Sequence, residues 1–199
     1  MPELLYQGHG SFRITADGGT VVYVDPYMGE GYDKAADIVL VTHQHADHNQ
    51  LELITRKADC AVITEAEALA GGKHNCFDIN GVHVEAVEAN NQNHPPDKCV
   101  GYIVAIDGVK IYFSGDTSKT GQMASFKAKD IDYAFLCCDG RYNMGLAEAA
   151  ECAELIGAQH NIPVHMKPGA PFHRETAEQF KGPGRLVVAD GETIKLSKR

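Results

Sequence analysis

The chain has 199 residues, 44% of them hydrophobic and 23% charged, the proportions of a globular chain able to bury a substantial core. Its formal net charge is −9, from 18 Lys and Arg against 27 Asp and Glu, and an acidic surface repels phosphate backbones, which argues against a nucleic-acid partner. No apolar run approaches the roughly 20 residues of a membrane span. The opening Met1-Pro2-Glu3-Leu4 lacks the basic-then-apolar pattern of a secretory signal, so a cytoplasmic location without a membrane partner is expected. The six cysteines form no C-x-x-C pair and are expected as reduced, partly buried thiols.

Strands are predicted over 4–7, 11–15 and 20–24, separated by glycine turns at 8–10 and 17–19. The apolar strand 38–42, centred on Ile38-Val39-Leu40-Val41, runs straight into a histidine cluster. A helix is predicted over about 49–57, then a strand at 61–64, a short helix at 65–70, and strands at 77–79 and 83–89. Segments 101–106 and 110–114 flank Asp107-Gly108, a hairpin turn. Beyond it come a helix over 118–127, a strand over 133–137 and the strongest helix, over 146–159. There Leu146, Ala149, Ala150, Ala153 and Ile156 recur at helical spacing. A strand at 162–165, a short helix at 176–180 and a hairpin of 185–189 with 193–196 around Asp190-Gly191 complete the chain. Strands dominate the first half and mix with helices in the second. This implies an α+β fold, sheets covered by helices, in one domain spanning 1–199.

The chemistry concentrates in His43-Gln44-His45-Ala46-Asp47-His48, four metal-capable side chains in six residues directly behind a buried strand. If the strand persists, His43 and His45 share a face and can bind one ion together, while Asp47 and His48 beyond the turn reach a second. Imidazoles and a carboxylate suit zinc, manganese or iron alike.

The spacing H-x-H-x-D-H resembles the signature of the metallo-β-lactamase superfamily, and further motifs follow in its order. Asp25 closes the strand Val21-Val22-Tyr23-Val24. His94 stands in Asn91-Gln92-Asn93-His94-Pro95, Asp116 in Ser114-Gly115-Asp116-Thr117, and His165 ends Ile162-Pro163-Val164-His165. Taken singly, His94 reads equally as a loop histidine, Asp116 as a turn residue and His165 as an interior histidine. The resemblance, covering about 4–196, implies a four-layer αββα sandwich with two divalent metal ions at one edge. It implies His43, His45 and His94 on the first ion, Asp47, His48 and His165 on the second, Asp116 bridging both, and Asp25 orienting the histidine loop by hydrogen bonding. His9, His74, His83, His160 and His173 lie outside the motifs and read as surface or structural.

The resemblance also implies hydrolysis. Two ions about 4 Å apart acidify a water held between them and polarise the scissile carbonyl or phosphoryl group. Asp47 would be catalytic, binding the second ion, orienting the nucleophile and passing a proton to the leaving group. The di-iron oxygen reductases of the superfamily carry glutamate where this chain has His45, and well-known β-lactamases carry cysteine where it has Asp116, so neither activity is favoured. The nearest resemblance is to the short metal-dependent hydrolases related to ascorbate-6-phosphate lactonase. A small ester, lactone or phosphate ester is the expected substrate. Arg141, Asn143 and His173 are candidate substrate contacts, with Asn143 as a plain helix cap and Arg141 as a solvated side chain the alternatives. A non-enzymatic metal-binding or sensing protein, and a nuclease, are competing readings. A nuclease would need a basic groove, and no Lys/Arg cluster is present.

Overall fold

The computed structural model describes residues 1–198; of the predicted 1–199 span, Arg199 lies outside the described residues. The first sheet contains β1 (Glu3–Gly8), β2 (Ser11–Thr15), β3 (Val21–Val24), β4 (Ala36–Leu40), β5 (Arg56–Ile63) and β12 (Thr193–Lys195), in the order β12-β1-β2-β3-β4-β5. The second contains β6 (Cys76–Ile79), β7 (Val82–Glu88), β8 (Val100–Ile106), β9 (Val109–Phe113), β10 (Tyr133–Cys137) and β11 (His160–Val164), in the order β11-β10-β9-β8-β7-β6. Each sheet is antiparallel on one side and parallel on the other. β3, β4 and β5 run parallel in the first, and β9, β10 and β11 in the second. The carboxyl ends of these parallel strands are where Asp25, His43, Asp116, Asp139 and His165 follow, within three residues of their strands.

The two sheets bury one core between them. Phe12, Phe113 and Phe135 meet there with ring centroids 4.7 to 5.3 Å apart, an aromatic floor a few residues before the histidines and aspartates. The outer face of the second sheet packs on α2 (Leu146–Ile156) and α3 (Arg174–Gln179), with Cys152, Ile156 and Phe180 buried among Leu136 and Tyr112. The outer face of the first sheet is covered thinly. Ile54 and the half-buried Leu51 and Tyr32 close over Val21, Tyr23, Val39 and Val41. The two-sheet α+β sandwich thus matches expectation, with helices thick on one side and a loop and a single turn on the other. No helix among the described residues is long and apolar enough to cross a membrane. All six cysteines are free, four of them buried.

Three predicted elements are corrected. The helix expected over 49–57 is a single 3-10 turn at Leu51–Leu53, after which the chain extends into the eight-residue β5. Within that span Arg56 already pairs with Ala36 of β4, so the end of the segment is drawn into the sheet. The helix expected over 118–127 is a 3-10 segment, Gly121–Lys129, that buries Met123 and Phe126, three residues apart on one face. The terminal hairpin does not form. β12 pairs instead with the free edge of β1, Leu4 opposite Ile194, while Arg185 makes only an isolated parallel bridge to Asn161. Elsewhere α2 stops at Ile156 because Gly157 takes a left-handed conformation, φ 68°. The short helix α1 (Glu65–Ala68) begins with a capping box of Thr64 and Glu67.

Candidate metal centre

The strand β4 ends at Leu40, so His43 and His45 do not come together by strand alternation; the loop 41–50 brings them together instead. His43 Nε2 lies 3.1 Å from His45 Nδ1, and His94 Nε2 lies 3.2 Å from the same atom. His94 Nε2 is also 3.3 Å from Asp116 Oδ2. The other oxygen of Asp116 serves a second group, with Oδ1 3.4 Å from His48 Nε2 and 3.5 Å from His165 Nε2. Asp47 Oδ2 closes that group at 3.7 Å from His165 Nε2 and 4.0 Å from His48 Nε2. All seven predicted side chains therefore converge, in two sets that share one carboxylate.

Hydrogen bonds on the far side of each ring decide what faces inward. His48 Nδ1 donates to Asp25 Oδ2 at 2.8 Å, and His94 Nδ1 to Asn91 Oδ1 at 2.9 Å. His43 Nδ1 donates to Thr42 Oγ1 at 3.1 Å, whose hydroxyl donates in turn to Asp25 Oδ2 at 2.7 Å. His165 Nδ1 faces Asp139 Oδ2 at 3.2 Å. In the neutral rings each Nε2 is then a lone pair aimed at other lone pairs, an arrangement that a proton or a bound cation relieves. His48 Nε2, Asp116 Oδ1 and His165 Nε2 are buried with no hydrogen-bond partner among the described residues. The donor separations also fit: ligands at zinc-like distances in a tetrahedron stand about 3.4 Å apart. The donor set suits a divalent cation.

The loops are held by backbone that few residues tolerate. Asp25 and His165 have φ of 45° and 46°, and Gly115 has φ 58°. A Cβ on Gly115 would sit 2.8 Å from Val100 O and 3.0 Å from Thr42 Cβ, so only glycine lets the Asp116 turn press against the start of the histidine loop. Gly115→Ala is expected to destabilise the protein by about 2–4 kcal/mol, read as a shift in urea midpoint, with weakened cation binding as Asp116 moves.

The cluster is strongly polarised. Burial alone would lower the pKa of His165, but Asp116, Asp139 and Asp47 outweigh it and hold the group at about 10. Burial likewise opposes ionisation of Asp116, yet the charges of His48, His165 and His43 bring its carboxyl down to about 2. Asp47 is lowered despite burial, chiefly by the close approach of His165 and His9 to its carboxylate. His43 is pushed the other way, to about 2, by burial and by the neighbouring His48.

Beside the two sets opens a pocket of about 400 Å³ lined by His45, Asp47, Asn93, His94, Asp116, Tyr142, His165 and Pro168. Arg141 does not line it; its guanidinium lies exposed over the Tyr142 ring, 5.1 Å from the centroid. His173 precedes α3 and shares a hydrogen bond with Thr176 Oγ1. Asn143 is not the cap of α2, a position held by Gly145. It is a strut instead: Nδ2 donates to Asp139 Oδ2 at 2.8 Å, and Oδ1 accepts from Asn91 Nδ2 at 3.0 Å.

Three participants have no role assigned from the sequence: Asn91, which stands in the His94 motif, Asp139 and His9. Asp139 is wholly buried at its carboxylate and follows β10, so the strand-end rule that finds Asp116 and His165 could have found it too. Asn91 joins His94 to Asn143, so hydrogen bonds run behind the sets from His94 to Asp139, whose carboxylate stands 3.2 Å from His165 Nδ1. His9, read from the sequence as surface or structural, is fully buried with its ring centroid 3.8 Å from that of His165.

Comparison with known proteins agrees with this geometry. The pattern of the β-lactamase superfamily domain matches residues 3–165. A UPF0173 metal-dependent hydrolase from Thermococcus kodakarensis is 31% identical across 98% of this chain and 96% of its own length. A crystal structure of a candidate metal-dependent hydrolase from Parabacteroides distasonis superposes with a TM-score of 0.77 at 27% identity, covering 95% of this chain and 93% of that one. At 19% identity, the metallo hydrolase Igni18 of Ignicoccus hospitalis shares the fold over the whole chain and 99% of its own, with a TM-score of 0.76. Two sheets, a converging His/Asp cluster and an end-to-end relative thus point the same way, and the chain belongs to the metallo-β-lactamase superfamily as a metal-dependent hydrolase.

Proposed function

We propose that residues 1–199 form a single dinuclear hydrolase domain acting on a small ester or lactone. The observation that carries this reading is the sharing of Asp116. Its Oδ2 faces His94 and the set completed by His43 and His45, while its Oδ1 faces His48 and His165 beside Asp47. Two divalent cations held there, zinc or manganese or iron, supply Lewis acidity and an acidified water.

The chain's own residues do the rest. Asp116 fixes the spacing of the two sets. Asp25 and Asp139 hold His48 and His165 in the tautomers that present Nε2, and Asn143 with Asn91 ties Asp139 to the His94 loop. Asp47 is the least buried carboxylate of the centre, and its side chain lines the pocket, where it can orient a nucleophile and carry a proton to the leaving group. Tyr142, Pro168 and Asn93 also line the pocket.

The lining of that pocket contains no Lys or Arg, which favours an uncharged acyl substrate over a phosphate ester. A phosphodiesterase remains the second reading, because Arg141 stands beside Tyr142 at the rim. An acidic chain without a basic groove disfavours a nuclease, and six free thiols fit a cytoplasmic location.

Elemental analysis of untagged protein, followed by assays on an aryl ester, a lactone and an aryl phosphodiester, tests the reading. Two cations per chain with ester or lactone turnover are expected. One cation or none after reconstitution with zinc and manganese would sink it in favour of a scaffold or sensor.

Loading should depend on pH with a defined sign. In the metal-free protein His165 keeps its proton up to about 10, and the second cation must expel it. Apparent affinity at the second step should therefore rise about tenfold per pH unit between pH 7 and 9. Titrations in buffers of different ionisation enthalpy should show about one proton released.

A further inference from the structure

His9 sits in the turn between β1 and β2, flanked by Gly8 and Gly10, and is fully buried. Its backbone is left-handed, φ 56°, and tied on both sides: its N–H donates to Pro171 O at 2.6 Å, and its carbonyl accepts the N–H of His165 at 2.9 Å. Gly10 leaves no room next door, since a Cβ there would lie 3.2 Å from the His48 ring and 3.9 Å from that of His165. The turn presses His9 against the second donor set.

The ring has a defined orientation. Nδ1 lies 3.1 Å from Ala170 O, and a carbonyl only accepts, so Nδ1 carries the hydrogen. Nε2 of the neutral ring is then a lone pair, and it faces another at 3.3 Å, Asp47 Oδ2. His9, Asp47, His48 and His165 each offer one donor atom within 4.8 Å of all the others. In the same space the Nε2 atoms of His48 and His165 are buried and without hydrogen-bond partners. A ring pinned through Nδ1–H to a backbone carbonyl, with its other nitrogen aimed into an unpartnered cluster, has the arrangement of a metal-bound imidazole.

We propose that His9 Nε2 is a further ligand of the second cation, so that this position has five protein donors: His9, Asp47, His48, Asp116 and His165. The first position has four, His43, His45, His94 and Asp116. The two are then unequal in kind. Four donors match the tetrahedral preference of zinc. Five donors match manganese or ferrous iron. The inference rests on the dinuclear reading above.

The test uses wild-type protein labelled with ¹⁵N-histidine and loaded stepwise with ¹¹³Cd. The second equivalent is expected to give one-bond ¹¹³Cd–¹⁵N couplings to Nε2 of His48, His165 and His9. Couplings to His48 and His165 without His9 would overturn the assignment and leave the dinuclear reading standing. If no second equivalent binds, the dinuclear reading fails and this inference with it. A second measurement uses His9→Asn, since asparagine tolerates the left-handed backbone. Its second-step affinity for Mn²⁺ should fall at least about tenfold, with the first step unchanged. An unchanged second step would overturn the proposal.

Discussion

Asp116→Ala should empty both positions at once. Its carboxylate faces both sets, with one oxygen 3.3 Å from His94 Nε2 and the other 3.4 and 3.5 Å from His48 and His165 Nε2. Replacing an outer hydrogen-bond partner of a metal ligand typically costs about 10–100-fold in affinity. Losing a donor common to two ions, together with the negative charge that opposes their mutual repulsion, should cost about 10³-fold or more at each step. Ester turnover should fall below detection. The fold should survive, because removing the carboxylate also removes the charge that keeps a proton on His165. Elemental analysis, turnover and circular dichroism on one preparation check all three. Retention of one tightly held cation would show that Asp116 serves a single set.

Asp25→Asn should separate stability from chemistry differently. Asp25 is nearly fully buried and accepts three hydrogen bonds, from Thr42 N–H at 2.7 Å, Thr42 Oγ1 at 2.7 Å and His48 Nδ1 at 2.8 Å. Its φ of 45° is tolerable for asparagine, so the change tests the carboxylate alone. An amide offers one acceptor oxygen in place of two, and its NH₂ would be set against groups that already donate. Leaving one or two buried donors unpaired costs about 1–3 kcal/mol each, so a loss of about 2–4 kcal/mol in unfolding free energy is expected. Affinity at the second step should fall about 10–100-fold through misorientation of His48. The first step should weaken less, since Asp25 reaches His43 only through Thr42 Oγ1. Equal losses at both steps would contradict this division of labour.

Where the chain signals chemistry strongly, the sequence was legible. A buried apolar strand followed by four metal-capable residues in six is rare by chance, and the structure brings those residues together with His94, Asp116 and His165. Their convergence depends on topology that local pattern does not reveal. β4 and β9 lie in different sheets, and only their packing puts His43 beside the Asp116 turn. His9 was missed because a histidine between two glycines reads as a turn, and its burial is set by Ala170 and Pro171 far along the chain. The mistaken helix at 49–57 and the absent terminal hairpin share one cause. The end of the first segment, from Arg56, enters β5 beside β4, and the second half of the hairpin pairs with the edge of β1.

The donors of the centre are scattered from residue 43 to residue 165, with His9 earlier still, and they lie at loops from both sheets. No local segment carries a complete set, so the centre exists only once the two sheets have docked. Contacts of such long sequence separation form late in folding. Cation capture should then follow the rate-limiting barrier, leaving the refolding rate of the chain unaltered by added metal. Its whole effect should fall on the reverse reaction, with the loaded protein unfolding more slowly by about the factor by which ligation favours the native state. In that sense bound cations would act as a latch on a sandwich already closed.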